Sequence, residues 1–282
     1  MLLTGRSRLA GVIGWPVGHS RSPRLHGHWF ERYGIDGAYV PLPVRPEDVR
    51  LAFEALPRLG FLGWNVTVPH KEAACRLVDA LDPMAARIGA VNTILVDTEG
   101  RTRGLNSDGL GFLANLRQQA PAWRPQHGVA LILGAGGSAR AVAFALLEAG
   151  VPLVTLANRT EARALALANE LTAAGRAAAI PWEQAVEAMR DAALLVNCTS
   201  LGMIGQPPLE LCLDGLPRSA IAADLVYAPL ETDLLATARA RGNIAVEGLG
   251  MLLHQAATGF AHWGGVVPEV DDRLRAAVLA SD

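Results

Sequence analysis

The sequence predicts an α/β protein of two domains. Three observations carry that expectation. The chain has 282 residues, a length that fits two domains on the usual size scale. Strand-like and helix-like segments alternate along it. A glycine turn, Gly134–Ala139, stands between a continuous apolar run and an Ala-rich helical segment. Composition agrees, because 51% hydrophobic and 18% charged residues describe a chain able to bury large cores. A formal net charge of −2 gives no electrostatic footprint for nucleic acid or an anionic membrane surface.

The elements follow in order. Leu9–Trp15 reads as a strand and Pro23–Tyr33 as a helix stopped by Gly34. Ala38–Pro43 is strand-like, Pro46–Leu56 helical, Gly63–Val68 strand-like and Lys71–Ala80 helical. Ala90–Asp97 reads as a strand entering a turn at Glu99-Gly100, and Asp108–Gln119 as a helix. Pro121 to Gly128 reads as a loop before a new unit. Val129–Leu133 is apolar throughout, the pattern of a parallel strand covered on both faces. Strand signals recur at Leu153–Ala157, Leu194–Asn197, Ile221–Asp224 and Ile244–Val246, and the Ala-rich stretch Ala162–Ala179 reads as helix. Such alternation implies parallel sheets with right-handed crossovers.

Residues Gly134-Ala135-Gly136-Gly137-Ser138-Ala139 fit the G-x-G-x-x-G/A turn of dinucleotide-binding Rossmann-like domains, with a buried strand before it and a helix after it. The glycines let backbone approach a pyrophosphate, which the helix N-terminus attracts. At the next strand tip, Asn158-Arg159-Thr160 stands where a carboxylate would accept the ribose hydroxyls of NAD. Arg159, with Arg163 one helical turn on, favours the 2′-phosphate of NADP, because guanidinium binds phosphate as a rigid bidentate donor. A Thr160-capped helix start with a solvated Arg159 is the alternative, and Glu161 brings negative charge near the site.

Two further segments carry chemistry. Asn65-Val66-Thr67-Val68-Pro69-His70-Lys71 alternates polar groups ahead of a lysine, and in an extended chain Asn65, Thr67 and Pro69 share one face. That layout suits a grip on a polyhydroxylated small molecule and delivery of a proton. Ser20-Arg21-Ser22-Pro23 reads as a helix start, with Ser22 at the N-cap and Pro23 at the first helical position. Two hydroxyls there suit a substrate carboxylate.

The three cysteines, Cys75, Cys198 and Cys212, have no C-x-x-C spacing, which points away from a disulfide framework and toward a reducing compartment. No Cys/His cluster has zinc spacing, and His26 and His28 form the only close histidine pair, so no metal is expected. The segment after Arg6 and Arg8 lacks a signal-peptide core. The apolar stretch Ala141 to Ala157 is interrupted by Glu148 and by Gly150-Val151-Pro152. A cytoplasmic protein is the expectation.

Taken together these segments resemble the shikimate dehydrogenase family over nearly the whole chain. The resemblance runs through Gly14–Pro23, Asn65–Lys71, Gly89–Thr93, Gly104–Asp108, Gly134–Arg140, Asn158–Thr160, Asn197–Met203, Asp224–Tyr227 and Gly248–Leu252 followed by Gln255. Departures are Trp15 where Asn is usual, Gly27 where Asn often follows the histidine, and Ser107 where Thr is usual. The resemblance implies reversible reduction of 3-dehydroshikimate to shikimate with NADPH, a step toward chorismate and the aromatic amino acids. It implies that Lys71 and Asp108 form the catalytic pair. Ser20, Ser22, Thr67, Asn92, Tyr227 and Gln255 would bind substrate together with Asp108. Thr199, Leu225 and Gly248 would join the glycine turn, Asn158, Arg159, Thr160 and Arg163 around the cofactor, and Gly250 would line the nicotinamide. The motif order then implies a discontinuous substrate domain, residues 1–108 and 250–282, and an NADP-binding Rossmann-like domain, 109–249, with the active site in the cleft between. Other readings are an NAD-using quinate/shikimate dehydrogenase and a catalytically inactive NADP-binding regulator. The expected partners are small molecules only, on a monomer or homodimer.

Overall fold

The computed structural model describes residues 3–280; residues 1–2 and 281–282, the ends of the expected substrate domain, lie outside them. Packing divides the chain into two units. One holds the residues up to Asp108 and those from Leu252 onward; the other runs from Gly109 to Met251.

The first unit opens with strands β1 (Arg8–Gly14), β2 (Gly37–Pro43) and β3 (Phe61–Val66), paired in parallel in the order β2-β1-β3. Helices α1 (Ser22–Arg32) and α2 (Val49–Arg58) form the connections. Next come α3 (Lys71–Ala74), β4 (Ala80–Leu81), α4 (Pro83–Ile88), β5 (Thr93–Val96) and β6 (Thr102–Leu105). Here the structure corrects the expectation of parallel sheets: β3–β5 and β5–β6 pair antiparallel, and the sheet order is β2-β1-β3-β5-β6-β4. The cause is local. Asp97 accepts from the backbone of Glu99 and Arg101, both at 2.9 Å, and Gly100 has φ +79°, so the turn reverses the chain into a hairpin.

Two expected elements are shorter than their patterns. The helix from Lys71 stops at Ala74, because Asp79 accepts from both the backbone (2.7 Å) and hydroxyl (2.8 Å) of Thr102 and draws the chain into β4 beside β6. The strand expected from Ala90 starts only at Thr93. Ser22 is the first helical residue, with Arg21 at the N-cap and no side-chain cap; Ser20 Oγ instead accepts from the Ser22 N–H at 3.3 Å.

The second unit takes over within α5 (Asp108–Gln119) and is built on β7 (Val129–Leu133), β8 (Val154–Asn158), β9 (Ala177–Pro181), β10 (Ala192–Asn197), β11 (Ile221–Asp224) and β12 (Ile244–Val246), all parallel. Their spatial order is β9-β8-β7-β10-β11-β12. This is the doubly wound dinucleotide-binding order, with the strand sequence reversing direction between β7 and β10. Helices α6 (Gly137–Glu148), α7 (Glu161–Leu171), α8 (Ala185–Ala188) and α9 (Asp233–Ala240) complete it. Residues Ala130 to Leu133 are fully buried, as a strand covered on both faces requires. The Ala-rich stretch does not stay helical to Ala179. Helix α7 ends at Leu171, Gly175 takes φ +154°, and Ala177–Pro181 pairs with β8, so sheet pairing overrides alanine's helix preference.

The chain returns to the first unit within α10 (Leu249–Gly264) and ends in α11 (Asp272–Leu279). This return segment covers α1. Trp29 Nε1 donates to the Glu269 carbonyl at 3.1 Å, and Arg32 pairs with Asp271 at 2.8 Å. Beneath lies an aromatic slab in which His26 stacks on Tyr39 (4.0 Å between ring centres) and is ringed by Trp29, Phe260 and Trp263. On the other side of the sheet, Phe53 and Leu56 of α2 pack with Ile13, Trp64, Val66, Val91 and Ile94. Among the described residues no helix is long and apolar enough to cross a membrane, and no group of three or more His, Cys, Asp and Glu could hold a metal ion.

His26 is fully buried, and desolvation pushes its imidazole down to about 3. Asn65 opposes this weakly, since its amide nitrogen is committed to Asn92 and Thr93 and neither ring nitrogen of His26 has a hydrogen-bond partner. Between about pH 3 and 6.5 the unfolded chain therefore binds a proton here that the folded chain does not, so stability falls as pH drops through that window. The term has an upper bound of about 5 kcal/mol. His26→Phe is expected to move the acid-unfolding midpoint, followed by near-UV circular dichroism, to lower pH. An unmoved or raised midpoint would contradict this.

Candidate active site

Parallel pairing of β1 with β3 sets the carboxyl ends of both strands side by side. Beyond them the two segments stay joined: Thr67 N–H donates to the Ile13 carbonyl at 2.9 Å and Trp15 N–H to the Val68 carbonyl at 3.0 Å. Gly14 is required here, since a Cβ on it would stand 2.4 Å from Thr67 Cγ2. The serine segment and the lysine segment are thus one construction at one sheet edge. Ser20 is half-buried, Ser22 buried and Thr67 half-buried. Trp15, one of the departures from the family pattern, is exposed with the Arg45 guanidinium 5.3 Å from its ring centre. Gly27, another, is exposed on α1, and a Cβ there would meet nothing within 4 Å.

The shared face inferred for Asn65, Thr67 and Pro69 does not form. Strand β3 ends at Val66, and His70 N–H bonds the Thr67 carbonyl at 2.9 Å, closing a turn. Asn65 is buried with its amide held by protein: Oδ1 accepts from Tyr39 Oη at 2.6 Å, and Nδ2 donates to the Asn92 carbonyl and to Thr93 Oγ1. The turn is anchored by His70, whose Nε2 lies 2.8 Å from the Val44 carbonyl. It delivers Lys71 to the first position of α3.

Lys71 Nζ stands 2.5 Å from Asp108 Oδ2, with the two side chains only 12% and 5% exposed. The other carboxylate oxygen accepts from Asn92 Nδ2 at 2.8 Å. Asp108 opens α5, where a helix N-terminus favours negative charge, and its N–H donates to Asn106 Oδ1 at 2.9 Å. Asn92 Nδ2 also reaches Gln255 Oε1 at 3.2 Å, and Ser107 Oγ donates to the Gln255 carbonyl at 3.0 Å. Lys71, Asn92, Asp108 and Gln255 therefore form one hydrogen-bonded cluster within the first unit. Such a group can hold an ammonium at a fixed point in a site of low exposure and present it to a substrate oxygen. Asn106, Ser107 and Thr93 were not among the expected site residues. The Asn-x-Asp spacing at 106–108 is a capping signal that could have pointed to Asn106, whose Oδ1 accepts from the Asp108 N–H; Ser107 and Thr93 entered only within the family motifs.

In the second unit, the expected cofactor residues gather at the carboxyl edge of the sheet. Gly134–Ala139 follows β7, Asn158–Thr160 closes β8, Thr199 follows β10, Leu225 follows β11 and Gly248 follows β12. The glycine turn sits where the strand order reverses, the usual ligand-binding crevice of this fold. Gly134 has φ +110°, and a Cβ there would stand 3.2 Å from the Cys198 carbonyl oxygen. Gly136, at the N-cap of α6, brings no capping side chain, and a Cβ on it would meet nothing within 4 Å. An open backbone cradle at a helix N-terminus fits a pyrophosphate. Ala135 and Ala139 are buried, so their methyls serve close helix–strand packing, while Gly137 and Ser138 are half-buried. Arg159 and Arg163 are exposed, and Asn158 Nδ2 donates to the Thr160 carbonyl at 2.9 Å. Thr160 occupies the N-cap of α7 without a side-chain cap.

Behind the edge, Asn197 organises the turn: its Oδ1 accepts from the backbone (3.0 Å) and hydroxyl (2.7 Å) of Thr199, and its Nδ2 donates to Asp224 at 3.0 Å. Burial pushes the Asp224 carboxyl up to about 6, against donors from Val226, Thr232 and Asn197 that favour its charge. A Cβ on Gly248 would stand 2.5 Å from the Leu225 carbonyl oxygen, and one on Gly250 would stand 1.9 Å from Asn115 Oδ1. Tyr227 lies half-buried in this second unit, apart in the chain's division from the serines and Lys71.

Comparison with known proteins gives matches over both units. The family profile of the shikimate dehydrogenase substrate binding domain matches residues 12–94, and that of shikimate/quinate 5-dehydrogenase matches residues 118–204. A shikimate dehydrogenase (NADP(+)) of Rhodospirillum rubrum is 61% identical over 280 residues, covering 99% of each chain. The solved shikimate 5-dehydrogenase of Thermus thermophilus, in complex with NADP(H) and shikimate, has a TM-score of 0.84 at 42% identity, covering 96% of this chain and 98% of that one. A quinate dehydrogenase of Corynebacterium glutamicum in complex with NAD has a TM-score of 0.88 at 33% identity, covering 97% and 99%.

Proposed function

The chain belongs to the shikimate dehydrogenase family, and on that premise we propose that it catalyses the reversible NADPH-dependent reduction of 3-dehydroshikimate to shikimate. The observation that carries this reading is the buried Lys71–Asp108 pair, with Asn92 holding the far side of the carboxylate. The unit ending at Asp108 and resuming at Leu252 binds the substrate, and the unit from Gly109 to Met251 binds the dinucleotide.

In this reading Ser20 and Ser22 donate hydroxyl hydrogen bonds to the substrate carboxylate, and Tyr227 reaches the same region. Thr67, Asn92 and Gln255 hold the ring hydroxyls. When bound, the nicotinamide supplies the hydride for the ring carbonyl or accepts it in the reverse direction. Lys71 delivers a proton to the substrate oxygen as negative charge develops there, and takes it back in the reverse direction. Asp108 holds the ammonium in place through their hydrogen bond. Gly134–Ala139 cradle the pyrophosphate, and Asn158, Arg159, Thr160 and Arg163 receive the 2′-phosphate. Thr199, Leu225 and Gly248 complete the rim, and Gly250 lines the nicotinamide. We further read the protein as a cytoplasmic monomer or homodimer acting on small molecules, its three cysteines outside any disulfide as a reducing compartment would keep them.

The test is an assay of shikimate and quinate, each with NADP⁺ and NAD⁺. Shikimate with NADP⁺ is expected to give the highest kcat/KM by at least about tenfold, one charge-assisted contact's worth. Quinate with NAD⁺ matching it would favour the quinate dehydrogenase reading instead.

A further inference from the structure

Behind the catalytic cluster a second set of buried polar groups has no place in the reading above. Tyr39 is 7% exposed, Asn65 6% and Thr93 0%, and they lead to Asn92 of the cluster, at 2%. Their hydrogen bonds run in one direction. Tyr39 Oη donates to Asn65 Oδ1 at 2.6 Å. Asn65 Nδ2 donates to Thr93 Oγ1 at 3.1 Å and to the Asn92 carbonyl at 3.0 Å. Thr93 Oγ1 donates to Asn92 Oδ1 at 2.9 Å. Asn92 Nδ2 donates to Asp108 Oδ1 at 2.8 Å, and Lys71 Nζ to Asp108 Oδ2.

The direction is forced by the partners. The Asn92 carbonyl can only accept, so the Asn65 group facing it must be the NH₂, and the Asn65 oxygen is left for Tyr39. The Ser107 N–H can only donate, and it points at Asn92 Oδ1 from 3.0 Å. A flipped Asn92 amide would set its oxygen against the Asp108 carboxylate and its NH₂ against the Ser107 N–H. Thr93 is the joint of the chain: its hydroxyl accepts from Asn65 and so turns its single proton toward Asn92. A valine there would keep the shape and lose both bonds.

We propose that Thr93, backed by Asn65 and Tyr39, is a positioning residue that fixes the Asn92 amide and through it the Asp108 carboxylate facing Lys71. This rests on the assignment of Lys71 and Asp108 as the catalytic pair. Asn65 and Thr93 direct hydrogen bonds to Asn92, and Tyr39 directs one to Asn65. Their effect reaches the chemistry through the orientation of one amide.

The test compares Thr93→Val, Thr93→Ser and Tyr39→Phe for kcat, the KM of shikimate and the KM of NADP⁺. Thr93→Val is expected to lower kcat/KM for shikimate roughly tenfold to a hundredfold, the effect of a buried network left partly unpaired, with the NADP⁺ KM within about twofold. Thr93→Ser, which keeps the hydroxyl, should recover most of that loss. Tyr39→Phe, which removes the first donor and keeps the ring in the slab, should lose about three- to tenfold in kcat/KM for shikimate. Equal impairment of Thr93→Val and Thr93→Ser would mean packing and not the hydroxyl matters, and would overturn the proposal. So would a Thr93→Val enzyme of wild-type kcat/KM. Should Thr93→Val fail to fold, Tyr39→Phe decides alone: loss supports the proposal and full activity overturns it. Lys71→Ala run in parallel separates the two levels. An active Lys71→Ala overturns the catalytic pair and this inference with it; an inactive one beside a wild-type Thr93→Val overturns the inference alone.

Discussion

Replacing Lys71 by Ala is expected to lower kcat by about 100- to 10,000-fold, the range for a lost acid/base or electrostatic group, while the KM of shikimate changes little. The ammonium is held 2.5 Å from Asp108 at the start of a four-residue helix. Truncation removes a group expected to act mainly in the transition state, and such losses fall on kcat. The substrate contacts proposed for Ser20, Ser22 and Gln255 would remain. Steady-state kinetics in both directions measure the effect, and a variant with near wild-type kcat would show that the proton comes from elsewhere.

Removing the Arg159 side chain is expected to raise the NADP⁺ KM about tenfold to a hundredfold and to leave NAD⁺ nearly unaffected. The 2′-phosphate carries up to two negative charges and takes bidentate donors, and losing charge-assisted hydrogen bonds there costs roughly 1.5–3 kcal/mol. Arg159 is exposed at the tip of β8, ahead of α7. Glu161, in the first turn of α7, sits where the helix N-terminus favours its charge and does not by itself block an anion nearby. Arg163→Ala should shift the same ratio more weakly. The measurement is kcat/KM for both cofactors on wild type and both variants. A wild type indifferent between the cofactors would remove the phosphate site from Arg159.

The dinucleotide half was legible because its signals are local. Five apolar residues, a glycine turn and an alanine-rich helix follow one another without a gap, and each has one structural meaning. The substrate half was less so. The hairpin of β5 and β6 read as one strand entering a turn, since four-residue strands carry too few alternations to mark a period. Strand β9 was hidden inside an alanine run whose local preference is helical. The Lys71–Asp108 pair was legible only through family resemblance. Asn92 meets Ser107 and Gln255, partners 15 and 163 residues away, and no periodicity reports such a meeting. Asn65 was misread because its polarity suggested a ligand-facing group, where burial has turned it to the backbone of Asn92 and the hydroxyl of Tyr39.

The interleaving of the two units also sets an order of biosynthesis. The stretch from Gly109 to Met251 is contiguous and can close its own sheet without the residues from Leu252 onward. The first 108 residues emerge earlier yet must wait, because the cover for Trp29 and Tyr39 comes from Phe260, Trp263 and Glu269, and one of those bonds spans 240 positions of chain. Until then an aromatic sheet face stays uncovered, and contacts this distant make for slow closure. A released chain truncated before Leu252 would thus carry a complete second unit and a sticky, unfinished first one. Gln255, a member of the Asn92 cluster, is translated after Met251, so that cluster is complete only once the return segment has been made.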